Sequence, residues 1–212
     1  MRSIGVLGGT FDPIHNGHIH LALEVSDKLK LDEVKLIPTN IPPHRSTPIA
    51  SADNRKNMAE LAICNQKKLS IDSREIENKN VSYTINTLIS LRTEFPYDAL
   101  YLIVGEDVFN MVDSWKDWQS LLNYAHIIVA TRPDDDNNIS NELKMWRDKN
   151  TINDINILKT TLSGYIFYIT TPIVEISSTM IRKYYSKQKN IGEYLPPNII
   201  TYIKDNNLYT DN

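Results

Sequence analysis

Ile4-Gly5-Val6-Leu7-Gly8-Gly9-Thr10-Phe11-Asp12-Pro13-Ile14-His15-Asn16-Gly17-His18 begins as a short apolar run and passes through two glycines and a stretch of turn chemistry. It then enters a helical pattern with two histidines at its mouth. That order predicts a strand, an anion-cradling turn and a helix N-terminus. Gly8 and Gly9 carry no Cβ, so backbone N–H groups can come close to an anion. The helix adds its unsatisfied first N–H groups and the positive end of its dipole. His15 and His18 fall on one side of the first turn. His18, Leu21, Ala22, Val25 and Leu29 form the stripe expected to pack on a sheet. Two imidazoles there can donate hydrogen bonds to phosphate and take up charge. A plain Gly-Gly turn followed by capping or core histidines fits the same residues. The dinucleotide fingerprint GxGxxG is absent, no Gly-Lys-Ser/Thr completes a P-loop, and the histidine spacing is not that of a helical zinc motif.

Outward from this stretch, strand and helix patterns alternate. Val34 to Ile37 reads as a second strand and a helix follows from about Asp53 to Asn65, with Met58, Leu61 and Ala62 on its buried side. Leu69 to Asp72 is a third strand, and Ile85 to Thr93 a helix whose expected caps are Ser82 and Thr84. Leu100 to Val104 is a continuous apolar run, the mark of a central parallel strand. His126 to Ala130 and Tyr165 to Ile169 are further strands, and Asn198 to Asn206 a closing helix. The expectation is an α/β fold: one Rossmann-like, doubly wound domain over residues 1–212, with a mainly parallel sheet and helices on both faces. A polar segment at about 134–160, anchored by Leu143, Met145 and Trp146, reads as a partly helical insertion on its rim.

Ligands of such sheets bind at the carboxyl ends of strands, which directs attention to what leaves them. Asn40 lies in a loop stiffened by Pro42 and Pro43, and His44-Arg45 follow at once. They form either an anion clamp or a solvated basic pair on a rigid connector. Arg74 and Glu75 read as a local ion pair. Free amides near Tyr83 and Thr84 could hold a carboxylate, and Gly105 with Glu106 and Asp107 closes the central strand in a way that suits a ribose or adenine. Trp115 serves packing or stacking, and Arg132 leaves another strand end. Ser177, Ser178 and Thr179 open a helix, with Arg182 one turn beyond Ser178. They read as helix caps beside a surface Arg, or as a second anion site completing that at Gly9.

Composition narrows the classes. The chain has 212 residues, 41% hydrophobic and 23% charged, ordinary for a globular α/β domain. A net charge of −3 does not suggest a nucleic-acid binder. Cys64 is the only cysteine, which excludes an internal disulfide; it is expected in the core, and a reducing, cytoplasmic setting is expected for the protein. No apolar run approaches membrane-spanning length, and the start leaves no room for a signal peptide.

The unbroken match of Gly8 to His18 to GGTFDPxHxGH resembles nucleotidyltransferases with an HxGH signature. The later elements IPxNxPPHR, SYT, GxD, SW, RP and SSTxIR follow in the order seen in bacterial nicotinate-nucleotide adenylyltransferases. That resemblance implies transfer of an adenylyl group from ATP to nicotinate mononucleotide, with Mg²⁺ carried by ATP and no metal bound by the protein itself. It implies His15, His18 and Arg182 as catalytic groups. Gly8, Gly9, Thr10, Phe11, Ser178 and Thr179 would serve the ATP phosphates, and Gly105 and Asp107 its adenosine. Asn40, His44, Arg45, Tyr83, Thr84, Trp115 and Arg132 would serve the pyridine nucleotide. Ser114 stands where such relatives often have Thr. Nothing functional is implied for 134–160. Pantetheine-phosphate adenylyltransferase shares the His motif but resembles the chain less beyond residue 80. A non-catalytic nucleotide sensor is disfavoured by the presence of both histidines and Arg182. Neither nucleic acid nor membrane is expected as a partner, and a homo-oligomer stays open.

Overall fold

The computed structural model describes residues 1–42, 47–78, 80–131, 139–172 and 175–210. In chain order its elements are β1 (Ser3–Gly9), α1 (Asn16–Leu29), β2 (Glu33–Pro38), α2 (Ala52–Ile63), β3 (Leu69–Ile71), α3 (Arg74–Glu77), α4 (Thr84–Glu94) and β4 (Ala99–Gly105). Then follow α5 (Glu106–Phe109), β5 (His126–Thr131), α6 (Asn141–Asn150), α7 (Ile155–Leu158), β6 (Ile166–Thr170), α8 (Ser178–Ser186) and α9 (Pro197–Asp205). The strands form one sheet in the order β3-β2-β1-β4-β5-β6, every neighbouring pair parallel. This is the Rossmann-like α/β architecture the alternation predicts.

Successive side chains of a strand point to opposite faces, so the apolar run of β4 feeds two cores. Leu100, Leu102 and Val104 pack with Ile85, Leu88 and Leu91 of α4 and with Phe109 and Leu143. Tyr101 and Ile103 pack with Ala22, Val25 and Leu29 of α1, Met58 and Ala59 of α2, Ile181 of α8 and Ile199 and Ile203 of α9. Burying one such Leu or Ile contributes about 1.5–3 kcal/mol, so a one-residue slip of register would forfeit both layers. From β1 the sheet grows to β2 and β3 on one side and to β4, β5 and β6 on the other. The crevice of this topological switch lies beyond the carboxyl ends of β1 and β4. Gly8-Gly9 and Gly105 stand there.

Several local expectations are corrected. The buried face of α1 runs through Ile19, Ala22, Val25, Ser26 and Leu29, leaving His18 and Leu21 only half-buried. On α2 the buried side chains are Arg55, Met58, Ala59 and Ile63, with Leu61 and Ala62 at the margin. Cys64 ends that helix as an exposed thiol, not a core residue. Arg74 pairs with Asp72 (2.7 Å) and Glu94 (2.6 Å), while Glu75 turns inward to accept from the Thr87 hydroxyl at 2.5 Å. Tyr83, not Ser82 or Thr84, occupies the N-cap of α4, and without a side-chain cap.

Within the segment predicted as a rim insertion, α6 buries Leu143, and Trp146 sets its ring edge-on to Trp118 with centroids 4.9 Å apart. Met145 is 75% exposed, so it is not the buried anchor expected of it. The segment continues to the free edge of β6, where Thr151 bridges Ile166 and the Ile152 amide donates to the Ile166 carbonyl at 3.0 Å. The bridge covers the start of this edge, where an unpaired strand could template a stray partner.

Candidate active site

The loop after β1 is built around Gly9 and Asp12. Phe11 takes a left-handed backbone (φ 50°) and folds its ring beneath Gly9, where an added Cβ would lie 2.6 Å from a ring carbon. Among the described residues nothing stands within 4 Å of the corresponding position at Gly8, near the end of β1 before the loop. The Phe11 side chain is 1% exposed; what this residue can offer a nucleotide is its backbone. The Asp12–Pro13 peptide is cis. Asp12, 4% exposed, accepts from the Ile49 amide (2.8 Å), the Ala50 amide (3.1 Å) and the Tyr209 hydroxyl (2.7 Å). An ionised carboxylate is acceptor-only, and three donors suit it.

Arg55 sits under the same loop. Its buried guanidinium donates to the carbonyls of Thr10 (2.7 Å), Thr39 and Asn40 (3.1 Å), while its Nε donates to the Ala50 carbonyl at 3.3 Å. One rigid fork thereby ties the ends of β1 and β2 to the start of α2. Sequence reasoning missed both Arg55 and Tyr209. Arg55 occupies a helical position where a buried apolar residue is the rule. Tyr209 follows the last helix, far from Asp12 along the chain.

His15 caps α1 and is buried, which lowers its pKa from 6.5 to about 4, so its imidazole is neutral near pH 7. The ring of His18 stacks on it with centroids 3.7 Å apart and meets the Phe11 ring edge-on at 4.9 Å. The His15 amide donates to His18 Nδ1 at 3.3 Å, leaving His18 Nε2 as the nitrogen that carries a proton in the neutral ring. The buried Nδ1 of His15 has no hydrogen-bond partner among the described residues.

The start of α8 is stapled onto the same loop. Ser177 caps the helix by accepting from the Met180 amide at 3.1 Å, and the Ser178 hydroxyl donates to the Pro13 carbonyl at 2.9 Å. Arg182 donates from Nη1 to the Asp12 carbonyl and from Nη2 to the Thr179 hydroxyl at 3.4 Å. The structure thus brings Gly8, Gly9, Thr10, His15, His18, Ser178, Thr179 and Arg182 around one loop.

A second group gathers beside it. The Asn40 amide donates to the Ser82 hydroxyl at 3.1 Å, the Ser82 amide donates to the Ile41 carbonyl at 3.1 Å, and Ile41 bridges Val81. These bonds set Asn40 next to Tyr83 and Thr84 at the start of α4. Lys116, one residue beyond Trp115, lies 4.9 Å over the Tyr83 ring. Glu75 underlies the group, bonded to Thr87, Ser82 and Thr39, and burial pushes its carboxyl up. Gly105 caps α5, and a Cβ there would lie 2.6 Å from an Asp107 carboxylate oxygen, so that carboxylate folds back over the strand end. His44, Arg45 and Arg132 lie outside the described residues.

An open parallel sheet with a glycine loop, a histidine pair and an arginine at its switch point defines a nucleotide-binding α/β protein. The chain belongs to the cytidylyltransferase-like family, which residues 6–184 match. It is 39% identical to a protein of Psychromonas ingrahamii named "Probable nicotinate-nucleotide adenylyltransferase", over 98% of this chain and 97% of the relative, and 38% identical to one of the same name from Pseudomonas entomophila, over 99% and 95%. Such matches run through residues 134–160. Among solved structures it resembles a Plasmodium falciparum nicotinic acid mononucleotide adenylyltransferase complexed with NaAD (TM-score 0.74, 22% identity, 99% of this chain and 98% of that one). The same enzyme complexed with APC gives a TM-score of 0.72 at 21% identity, with the same coverage. At these identities the structural likeness is one of fold.

Proposed function

We propose that this protein is a nicotinate-nucleotide adenylyltransferase, joining ATP and nicotinate mononucleotide to give nicotinate adenine dinucleotide and pyrophosphate, a step of NAD biosynthesis. The observation that carries the reading is the convergence of His15, His18, Ser178, Thr179 and Arg182 on the loop that follows Gly9, with Ser178 and Arg182 bonded to Pro13 and Asp12, in a chain whose full-length relatives bear that name.

No covalent nucleophile is needed. A phosphate oxygen of the mononucleotide attacks the α-phosphorus of ATP in line, the bond from that phosphorus to the bridging oxygen breaks, and pyrophosphate leaves. The protein's task is to align two anions and stabilise the charge that develops on the leaving group. Loop amides, imidazole N–H groups and the Arg182 guanidinium are donors suited to that charge. The Asn40, Tyr83-Thr84 and Trp115-Lys116 group takes the pyridine nucleotide, and Gly105-Asp107 the adenosine. Mg²⁺ enters on the triphosphate. The side chains described at the loop are mostly donors, and the carboxylate described there, Asp12, already accepts from Ile49, Ala50 and Tyr209. A hard cation therefore finds its oxygens on phosphate and water.

Incubation of the protein with ATP, Mg²⁺ and either nicotinate mononucleotide, nicotinamide mononucleotide or pantetheine phosphate, following pyrophosphate, tests the reading. Release is expected with the nicotinate nucleotide. Release only with pantetheine phosphate, or ATP binding without turnover, would replace it.

A further inference from the structure

Tyr209 lies beyond α9, yet its buried hydroxyl donates to Asp12 Oδ1 at 2.7 Å, inside the signature loop. The other carboxylate oxygen, Oδ2, accepts from the Ile49 amide and lies 3.8 Å from Arg182 Nη1, whose hydrogen bond goes instead to the Asp12 carbonyl. Among the described residues, Arg55 and Arg182 are the cations near this carboxylate, and Tyr209 is a neutral side-chain donor to it. Burial and the Asp12 charge hold the Tyr209 phenol far above its ordinary pKa, so it remains a donor throughout the working range.

We propose that Tyr209 is a positioning residue for the ATP-phosphate site: by occupying Asp12 Oδ1 it keeps the Arg182 guanidinium on the Asp12 carbonyl, free to meet phosphate, instead of drawn onto the carboxylate. Bidentate Arg–carboxylate pairing is the stronger arrangement and needs a free lone pair on each oxygen; Oδ1 is filled by the Ala50 amide (3.1 Å) and the Tyr209 hydroxyl, so loss of the phenol frees the position that a guanidinium fork would take. Arg182 Nη1 already lies 3.8 Å from Oδ2, so the guanidinium stands beside the carboxylate it would pair with. The guanidinium would then be neutralised by Asp12 when ATP arrives.

The inference rests on Arg182 serving ATP, as proposed above. The test is a cycle of four proteins: wild type, Tyr209→Phe, Arg182→Ala and the double variant. Each is measured by calorimetry with ATP alone and by steady-state kinetics with ATP and nicotinate mononucleotide. Tyr209→Phe is expected to lower kcat/KM for ATP about tenfold, with KM for the mononucleotide changed less than twofold. In the Arg182→Ala background the same substitution should change kcat/KM for ATP less than twofold. A hydroxyl that merely stabilises the fold would act by the same factor in both backgrounds, and that result overturns the proposal, as would wild-type ATP affinity and kcat in Tyr209→Phe. Absence of turnover in the wild type would refute the proposed reaction, while the calorimetric cycle would still decide the role of Tyr209. If Tyr209→Phe does not fold, Tyr209→Met fills the space with an apolar chain that donates nothing, and the same expectations apply.

Discussion

The rings of His15 and His18 lie 3.7 Å apart and within 23° of parallel, with the His15 amide held on His18 Nδ1 at 3.3 Å. Two imidazolium rings could not rest at that distance without strong repulsion. The stack suits neutral His15, whose burial lowers its pKa to about 4. An arriving triphosphate changes the balance, since an anion beside the pair favours a proton on it.

His18→Ala should therefore lower kcat far more than ATP affinity. The contact strengthens as charge moves onto pyrophosphate, and an interaction made mainly in the transition state appears in kcat. Loss of one such donor corresponds to roughly 3 kcal/mol, about two orders of magnitude in rate. Steady-state kinetics on the folded variant check this, and an unchanged kcat rejects the role.

Arg182→Ala should raise KM for ATP and slow turnover, whereas Arg182→Lys should rescue only partly. The Arg182 guanidinium holds the Asp12 carbonyl and the Thr179 hydroxyl through two different nitrogens. A Lys ammonium is a point charge without that planar fork. Full recovery of kcat/KM by Lys would show that charge alone matters.

The signature loop was legible in the sequence because its information is local: glycines, histidine spacing and helix start are consecutive. The doubly wound sheet was legible too, since the all-apolar run at Leu100–Val104 has few other uses. What the sequence hid depends on contacts distant along the chain. Arg55 reads as an ordinary helical Arg until Thr10, Thr39, Asn40 and Ala50 turn their carbonyls toward it. Glu75 reads as the partner of its neighbour Arg74, but Thr87 claims it. The α1 stripe was misjudged by one residue, because His18 stays with His15 and Phe11 at the loop while Ile19 takes the core.

Stability should fall with acidity between about pH 6.5 and 4, and His126 should account for part of that slope. His126 is buried in β5, its Nε2 on the Thr161 carbonyl at 3.1 Å and its Nδ1 accepting from the Tyr165 amide at 3.3 Å, and its pKa falls to about 4. His15 falls to about 4 as well. Between those values and the unfolded pKa of 6.5, the unfolded chain binds more protons, so the native state loses ground as pH drops. The slope is about 1.4 kcal/mol per pH unit for each group at most. The slope halves at pH 6.5 and is nearly gone by about pH 7.5. His126→Gln keeps a donor for Thr161 but does not titrate, so urea melts at pH 7.5, 5.5 and 4.5 should show a shallower decline. Parallel declines would refute the assignment.

Preference for the nicotinate nucleotide should be strong, and Trp115 should not be its source. Nicotinate carries a carboxylate where nicotinamide carries an amide. The start of α4 at Tyr83-Thr84 has no side-chain cap, and Lys116 is folded over the Tyr83 ring at 4.9 Å, so donors and a cation share one corner. A carboxylate presents two acceptor oxygens to them, whereas an amide presents one oxygen and an NH₂ that faces donors. Hydrogen bonds to a charged group contribute about 1.5–3 kcal/mol each, and a donor opposed by another donor is left unpaired. One or two such contacts give a preference of roughly 10²–10⁴ in kcat/KM. Trp115 offers a π face that both pyridines match equally, so Trp115→Ala should weaken both nucleotides and leave their ratio within about threefold. Its ring also packs against the α4 side of the core, so thermal melting of the variant must accompany the kinetics. Lys116→Met removes the cation from the corner and should reduce the ratio about tenfold, chiefly through the nicotinate nucleotide, as expected for loss of one charge-assisted contact. The measurement is kcat/KM for both mononucleotides with wild type, Trp115→Ala and Lys116→Met. Equal efficiency with the two substrates in the wild type would sink the selectivity claim, and a ratio that collapses in Trp115→Ala but survives Lys116→Met would move recognition of the carboxylate from the cation to the indole.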